Sequence, residues 1–264
     1  TTEIYTLSLH DALPIYISES LQDYIEETTI LIAGCGLGSV SAEIALRTGF
    51  KKFILVDGDR VSLSNLNRQI FGHSDIGKNK THALKERLLA INPNAEIEVF
   101  SCWLDESNVS AIVSKADIIF DTIDFLDLKA ILVLHETATL LFKPVISSFS
   151  CAWGAFSVVF MPGCMSLKEF VGLDENTNAT ITVVDVFQNM FKRLKHQFPS
   201  EFIAVTMEVF KKMQNGTMCP APQLGVGVNC TASVMVTQAV RVLSNQSVKV
   251  APEAICVNLL ESVA

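Results

Sequence analysis

The chain has no CxxC pair. Its seven cysteines, Cys35, Cys102, Cys151, Cys164, Cys219, Cys230 and Cys256, are scattered and odd in number. That argues against a disulfide framework and fits a reduced, intracellular protein. Cys35, Cys151 and Cys230 sit among small apolar residues and read as buried packing. A run of about 18 consecutive apolar residues is also missing. The two charge-free stretches, Pro144 to Leu167 and Gln214 to Val240, carry Pro, Gly, Ser, Thr or Asn throughout. They read as buried strands and helices, so no membrane association is expected. Positive charge is in deficit: 20 Lys and Arg against 28 Asp and Glu give a net charge of −8. This argues against nucleic acid as the main partner. No Lys or Arg precedes Arg47, and no signal-peptide pattern, internal repeat or low-complexity tract is seen.

What remains is 264 residues with 49% hydrophobic content. That is enough for a large core, most simply one α/β domain with an appendage. The first residues are unlike the rest. Thr6 to Ile15 reads TLSLHDALPI, which resembles translated sequencing-adaptor read-through. Residues 1–18 are therefore expected to be a foreign or disordered leader, dispensable for folding.

Strand and helix patterns alternate after that. Thr29 to Ala33 is a β-branched run that ends in a glycine turn, Val40 to Thr48 a helix stopped at Gly49, and Lys52 to Val56 a second strand. Together they form a βαβ unit of about 30 residues, the opening of a Rossmann-like, doubly wound sheet. Asn79 to Ile91 is read as a helix ended by Asn92-Pro93, and Glu96 to Phe100 as a strand. Glu106 to Ser114 and Leu126 to Leu141 are read as helices, and Asp117 to Asp121 and Val145 to Phe149 as strands. The sheet is thus mostly parallel. Phe156 to Met161 is read as a strand of antiparallel direction, Ser166 to Thr182 as irregular, and Val184 to Gln214 as a helical hairpin. A buried helix over Gly225 to Leu243 and a last strand over Ala254 to Leu259 complete an antiparallel C-terminal extension.

Two clusters carry chemistry. In Gly34-Cys35-Gly36-Leu37-Gly38-Ser39, the glycines let backbone approach a phosphate at a helix N-terminus. Asp57, at the end of the second strand, suits ribose hydroxyls. Alone these indicate a nucleotide without saying which. Asn65, Arg68 and Gln69 follow closely, with Lys80 a short loop later. Arg68 offers a planar fork of donors to phosphate oxygens. Asp124 lies at the carboxyl edge of the sheet, where a carboxylate can hold Mg²⁺ between triphosphate oxygens. A redox dinucleotide site has little use for this second cluster, whereas a triphosphate site does. The histidines, at 10, 73, 82, 135 and 196, have no ligand spacing, and His135 reads as a partly buried helix residue.

From Thr29 to Phe160, and more weakly from Leu224 to Leu243, the sequence resembles the ThiF/MoeB/HesA family of ubiquitin-activating-enzyme-like adenylyltransferases. The segment from Asp57 through Arg68-Gln69, with Lys80, Asn92-Pro93 and Asp124, carries that resemblance. It implies ATP over the glycine turn with its ribose on Asp57. Asn65, Arg68, Gln69 and Lys80 would hold the phosphates and Asp124 Mg²⁺, with Arg68, Lys80 and Asp124 as the catalytic set. The terminal carboxylate of a small ubiquitin-like sulfur carrier or a peptide would attack the α-phosphate, giving an acyl adenylate and pyrophosphate. The resemblance further implies a cytoplasmic homodimer. Residues 19–264 would form one domain: an ATP-binding half (19–160), a helical crossover insertion (161–223), and a terminal helix and strand (224–264).

The chain departs from the family pattern in several places. Ala33 and Cys35 stand where the glycine motif has Gly, and Phe125 replaces the Asn of an Asp-Asn pair. The paired-cysteine zinc ligands and an N-terminal arginine are absent, so no structural zinc is expected. Cys164 and Cys219 are the only thioester candidates. Two other readings stand beside the first. An NAD(P)-dependent oxidoreductase explains Gly34, Gly36, Gly38 and Asp57 but leaves Arg68, Gln69, Lys80 and Asp124 idle. A catalytically weak nucleotide-binding partner module fits the altered glycine turn and Phe125.

Overall fold

A computed structural model of the chain describes residues 16–173, 182–194, 197–215 and 223–262. One seven-stranded sheet organises it, in the order β3-β2-β1-β4-β5-β6-β7. The strands are β1 (Thr29–Ala33), β2 (Lys52–Val56), β3 (Glu96–Phe100), β4 (Ile118–Asp121), β5 (Val145–Cys151), β6 (Gly154–Phe160) and β7 (Ile255–Asn258). The first five are parallel; β6 runs antiparallel to β5, and β7 to β6. The doubly wound, mostly parallel sheet and its antiparallel extension are as expected from the sequence.

Both faces of the sheet are buried, so its central strands are apolar on both sides, with alternate residues entering opposite cores. Ile30, Ile32, Phe53, Leu55, Ile118 and Phe120 point to one core. The helices α1 (Glu19–Glu27), α2 (Leu37–Thr48), α3 (Lys80–Ile91) and α9 (Gly225–Leu243) cover that side. Leu31, Ala33, Ile54, Val56 and Ile119 point to the other. There α4 (Val109–Val113), α5 (Leu128–Leu140), α6 (Leu167–Phe170), α7 (Val183–Leu194) and α8 (Ser200–Gln214) pack. A short α10 (Leu259–Ser262) follows β7. The α9 helix is long and apolar enough to cross a membrane by length and composition. It packs instead on α2, β5 and β6, with Val228, Ala232, Met235 and Ala239 fully buried.

Local hydrogen bonds explain where element ends differ from the sequence reading. The α4 helix starts at Val109 rather than Glu106. Asp105 accepts from the Ser107 backbone and hydroxyl, and Asn108 accepts from the Asp105 backbone, so side chains claim that turn. The α5 helix starts at Leu128 rather than Leu126. The Leu126 N–H goes to Asp124, and Asp127 caps the helix through the Ala130 N–H. The polar stretch from Ser166 to Thr182 lacks helical periodicity, yet a Ser166/Glu169 capping box nucleates α6 within it. Residues 174–181 lie outside the described residues. So do 195–196 of the expected helical hairpin, but α7 and α8 do pack together, with the Phe187 and Phe210 ring centroids 5.3 Å apart.

The N-terminal boundary also moves. Ile17 is buried in the core and Ser18 caps α1, a helix the sequence reading did not identify. Ile17 and Ser18 therefore pack with the domain. Thr1 to Ile15 lie outside the described residues.

The tightest point of the fold is where the β1–α2 turn meets the end of β4. A Cβ on Gly34, which has φ +90°, would lie 2.5 Å from the Thr122 carbonyl oxygen. Gly77 has nearly the same φ, +88°, with nothing within 4 Å of a Cβ. Gly77→Ala should thus show backbone strain alone, about 1–2 kcal/mol. Gly34→Ala adds overpacking of about 1–3 kcal/mol. Urea denaturation of the two variants checks this; equal losses would mean that the turn relaxes freely.

Candidate functional site

The strand order reverses between β1 and β4, and in open α/β sheets the crevice beyond such a switch point is where ligands bind. A cavity of about 320 Å³ lies there, lined by the glycine turn, the β2 end, the loop before α3 and the β4–α5 turn. Gly34, Gly36, Asp57, Asn65, Arg68, Gln69, Lys80 and Asp124 all reach it. Gly38 does not line it. Its missing side chain serves packing, since a Cβ there would lie 2.5 Å from Thr122 Oγ1 and 2.6 Å from Ile32 Cγ2. Gly34 likewise accommodates Thr122, while it and Gly36 both border the cavity. Thr122 Oγ1 donates to the carbonyls of Ala33 and Gly34 at 3.0 and 2.6 Å, fixing the turn.

Asp57 is buried, and its carboxylate accepts the Cys35 N–H and the Asp59 N–H, both at 2.7 Å. One oxygen thus orders the glycine turn and the other the loop after β2. Burial raises the Asp57 pKa, while Lys80 and the two N–H donors act against that rise. Lys80 is also buried. Its ammonium lies 2.8 Å from Asp59 Oδ2 and 4.0 Å from Asp57 Oδ2. Asp59 was not singled out in the sequence; it sets the position of the Lys80 charge. Cys35 has a fully buried thiol whose pKa is pushed well up, first by burial and then by the Asp57 charge, which makes it unreactive.

Arg68 is half-buried and held from several sides. Its Nε donates to Gln223 Oε1 at 2.7 Å, and Nη1 donates to the Ser64 carbonyl and Asn67 Oδ1, both at 3.0 Å. Burial lowers its pKa, and the Asp124 charge offsets this in part. Gln69 leans on Gly36, and its buried Oε1 has no hydrogen-bond partner. Asn65 accepts the Ser62 N–H at 3.0 Å and so shapes the loop that carries Arg68. Asp124 is exposed at the mouth, where Oδ1 accepts the Leu126 N–H. A buried carboxylate, two cations and a glycine turn on one cavity fit a nucleotide with phosphates, and the unpaired Gln69 oxygen is an acceptor for a hydroxyl or amine donor of such a ligand.

Sequence reasoning missed three features of this site. Gln223, distant in sequence, reaches Arg68 because the chain returns there before α9. Asp121 and His135, both buried, lie 2.9 Å apart, and Ser147 donates to the same carboxylate oxygen at 2.8 Å. His135 is a residue of α5, as expected, but it is buried rather than partly buried and pairs with Asp121. Phe125 packs edge-on against Phe187 of α7, with centroids 5.1 Å apart, so it ties the β4–α5 turn to the crossover. Among the described residues no cluster of three His, Cys, Asp or Glu is arranged for a metal ion. Cys164 is exposed, and Cys219 lies outside the described residues.

Comparison with known proteins defines the class. The ThiF family profile matches residues 9–262, so the chain belongs to the ThiF family. A probable molybdopterin-synthase adenylyltransferase from Porphyra purpurea is 36% identical over 125 residues, 46% of this chain and 32% of that protein. The chain thus spans about a third of that relative. Among solved structures, PaaA superposes with a TM-score of 0.63 at 23% identity, covering 88% of this chain and 69% of PaaA. E. coli MccB with ATP superposes with a TM-score of 0.60 at 20% identity, covering 86% of this chain and 59% of MccB. These likenesses establish the fold.

Removing the Lys80 charge leaves Asp57 buried without its cation. Lys80→Met should destabilise the protein by about 3 kcal/mol at neutral pH. The sign with pH follows from Asp57. Its raised pKa makes folding favour the protonated carboxyl, and without Lys80 that pKa rises further. The loss should therefore shrink as pH falls into the carboxylate range, because the folded protein then holds Asp57 neutral. Urea melts across pH measure this; a pH-independent loss would mean that Asp57 does not sense Lys80.

Proposed function

We infer that this chain is an ATP-dependent adenylyltransferase. It activates the terminal carboxylate of a small ubiquitin-like sulfur-carrier protein or a peptide as an acyl adenylate, with release of pyrophosphate. One observation carries the reading: Arg68, Lys80, Asp57, Gln69 and Asp124 gather with the glycine turn on one cavity at the sheet's switch point. Family membership and a relative named an adenylyltransferase support it. The oxidoreductase alternative is disfavoured, because it gives Arg68 and Asp124 no task.

The chemistry needs no protein nucleophile. A carboxylate oxygen forms a bond to the α-phosphorus as the bond to the bridging oxygen breaks, and the electron pair leaves with pyrophosphate. No proton need move. Both reactants are anions, so the work is charge neutralisation and alignment. Asp57 would take the ribose hydroxyls. Arg68, Lys80, Asn65 and Gln69 would take phosphate oxygens, with Arg68 preset by Gln223. Asp124 would hold Mg²⁺, which when bound adds further neutralisation of phosphate charge. A cytoplasmic homodimer belongs to the same reading.

Arg68→Ala should abolish ATP–pyrophosphate exchange, with about 2.7–4 kcal/mol of transition-state stabilisation lost and the melting temperature little changed. Retention of more than about a tenth of the parent rate, roughly 1.4 kcal/mol, would remove Arg68 from the phosphate site. Asp124→Asn should weaken Mg²⁺-dependent exchange far more than ATP binding, since the amide keeps the shape and loses the charge. An unchanged Mg²⁺ titration would point to Asp121 or Asp127 as the ligand.

A further inference from the structure

A second cavity, about 200 Å³, abuts the first and shares Phe125, Phe149, Phe187 and Gln223 with it. Its far wall is α8, which presents Phe202, Val205, Val209 and Phe210, and Trp153 of the β5–β6 turn stands at its rim. Among the described residues no Lys or Arg lines it, and the one acidic group that does, Glu201, is exposed.

We propose that this second cavity receives an aromatic or branched aliphatic side chain from the end of the acyl substrate. The proposal rests on the adenylation reading and specifies its substrate class. Size supports it, since an apolar cavity of about 150 Å³ suffices for a benzene ring. A tail ending in two glycines would leave the space unfilled and its walls without contacts. An acidic terminal side chain would enter without a cation among the described lining residues to pair with. Continuity supports it as well. Gln223 touches this cavity and holds Arg68, so a chain end anchored against Phe149 and Phe187 has its carboxylate directed toward the phosphate-binding residues.

The test uses N-acetyl-L-phenylalanine, N-acetyl-L-leucine, N-acetyl-L-aspartate and N-acetylglycylglycine as probes. Calorimetric binding to the full chain is measured with and without a non-hydrolysable ATP analogue, and each acid is then tried in ATP–pyrophosphate exchange. The phenylalanine and leucine acids should bind at least tenfold more tightly than the other two. Val205→Arg, at a half-exposed rim position of α8, should erase that preference while leaving the melting temperature and the affinity for the ATP analogue unchanged. Tight binding of the apolar acids without exchange would uphold the cavity assignment and sink the adenylation reading. Exchange supported equally by N-acetylglycylglycine, or an apolar preference that survives Val205→Arg, would overturn the cavity assignment and leave adenylation standing. Absence of binding by every acid would overturn it too.

Discussion

The close approach of the β1–α2 turn to the end of β4 governs the rest of this molecule. Thr122 inserts its carbonyl against Gly34 and its hydroxyl between the carbonyls of Ala33 and Gly34. Any side chain at Gly34 or Gly38 would separate the two strand ends. With them in contact, the loop carrying Asp124 and the turn carrying Gly36 border one crevice. The ligand-facing geometry is thus a packing outcome first. Replacement of the family's glycines by Ala33 and Cys35 fits this division. Ala33 is a strand residue inside the core, and Cys35 contributes its backbone N–H to Asp57.

Charge in the cavity is mixed and follows the overall balance. The protein carries a net charge of −8, and among the described residues its cavity sets Arg68 and Lys80 among five aspartates, Asp57, Asp59, Asp121, Asp124 and Asp127. Neither cation is left mobile. Lys80 is pinned by Asp59, and Arg68 by Gln223 and the Ser64 carbonyl. Holding the donors in place beforehand removes the reorganisation that flexible surface cations would need, and partial burial strengthens their pull on an anion. The same burial disfavours the Asp57 carboxylate, and Lys80 with two backbone N–H groups counters that cost.

The opposite half of the crevice is aromatic. Phe149 and Phe156 stack at 4.8 Å, Phe198 stacks on Phe156 at 4.6 Å, and Phe187 bridges Phe125 to Phe210. This cluster fastens α7 and α8 to the sheet beside the charged turn. The site therefore has a polar side built by the βαβ unit and an apolar side built by the crossover. A substrate that is anionic at its end and apolar just behind it matches both.

The sequence by itself determined the parallel core, because buried strands must be apolar on both faces, and their alternation with helical patterns leaves few arrangements. It also determined the membership of the polar cluster from Asp57 to Asp124, since those residue types at strand ends have few other uses. What it did not determine were features set by side-chain competition and long-range return. Asp105 and Asn108 displaced the start of α4, and Ser18 and Ile17 extended the domain toward the N-terminus. Gln223 reached Arg68, Asp121 found His135 and Ser147, and Phe125 became part of an aromatic wall. Each of these contacts depends on where a distant backbone segment comes to rest. Local periodicity and motif spacing constrain the chain only over a turn or a strand, so only the packed tertiary structure decided them.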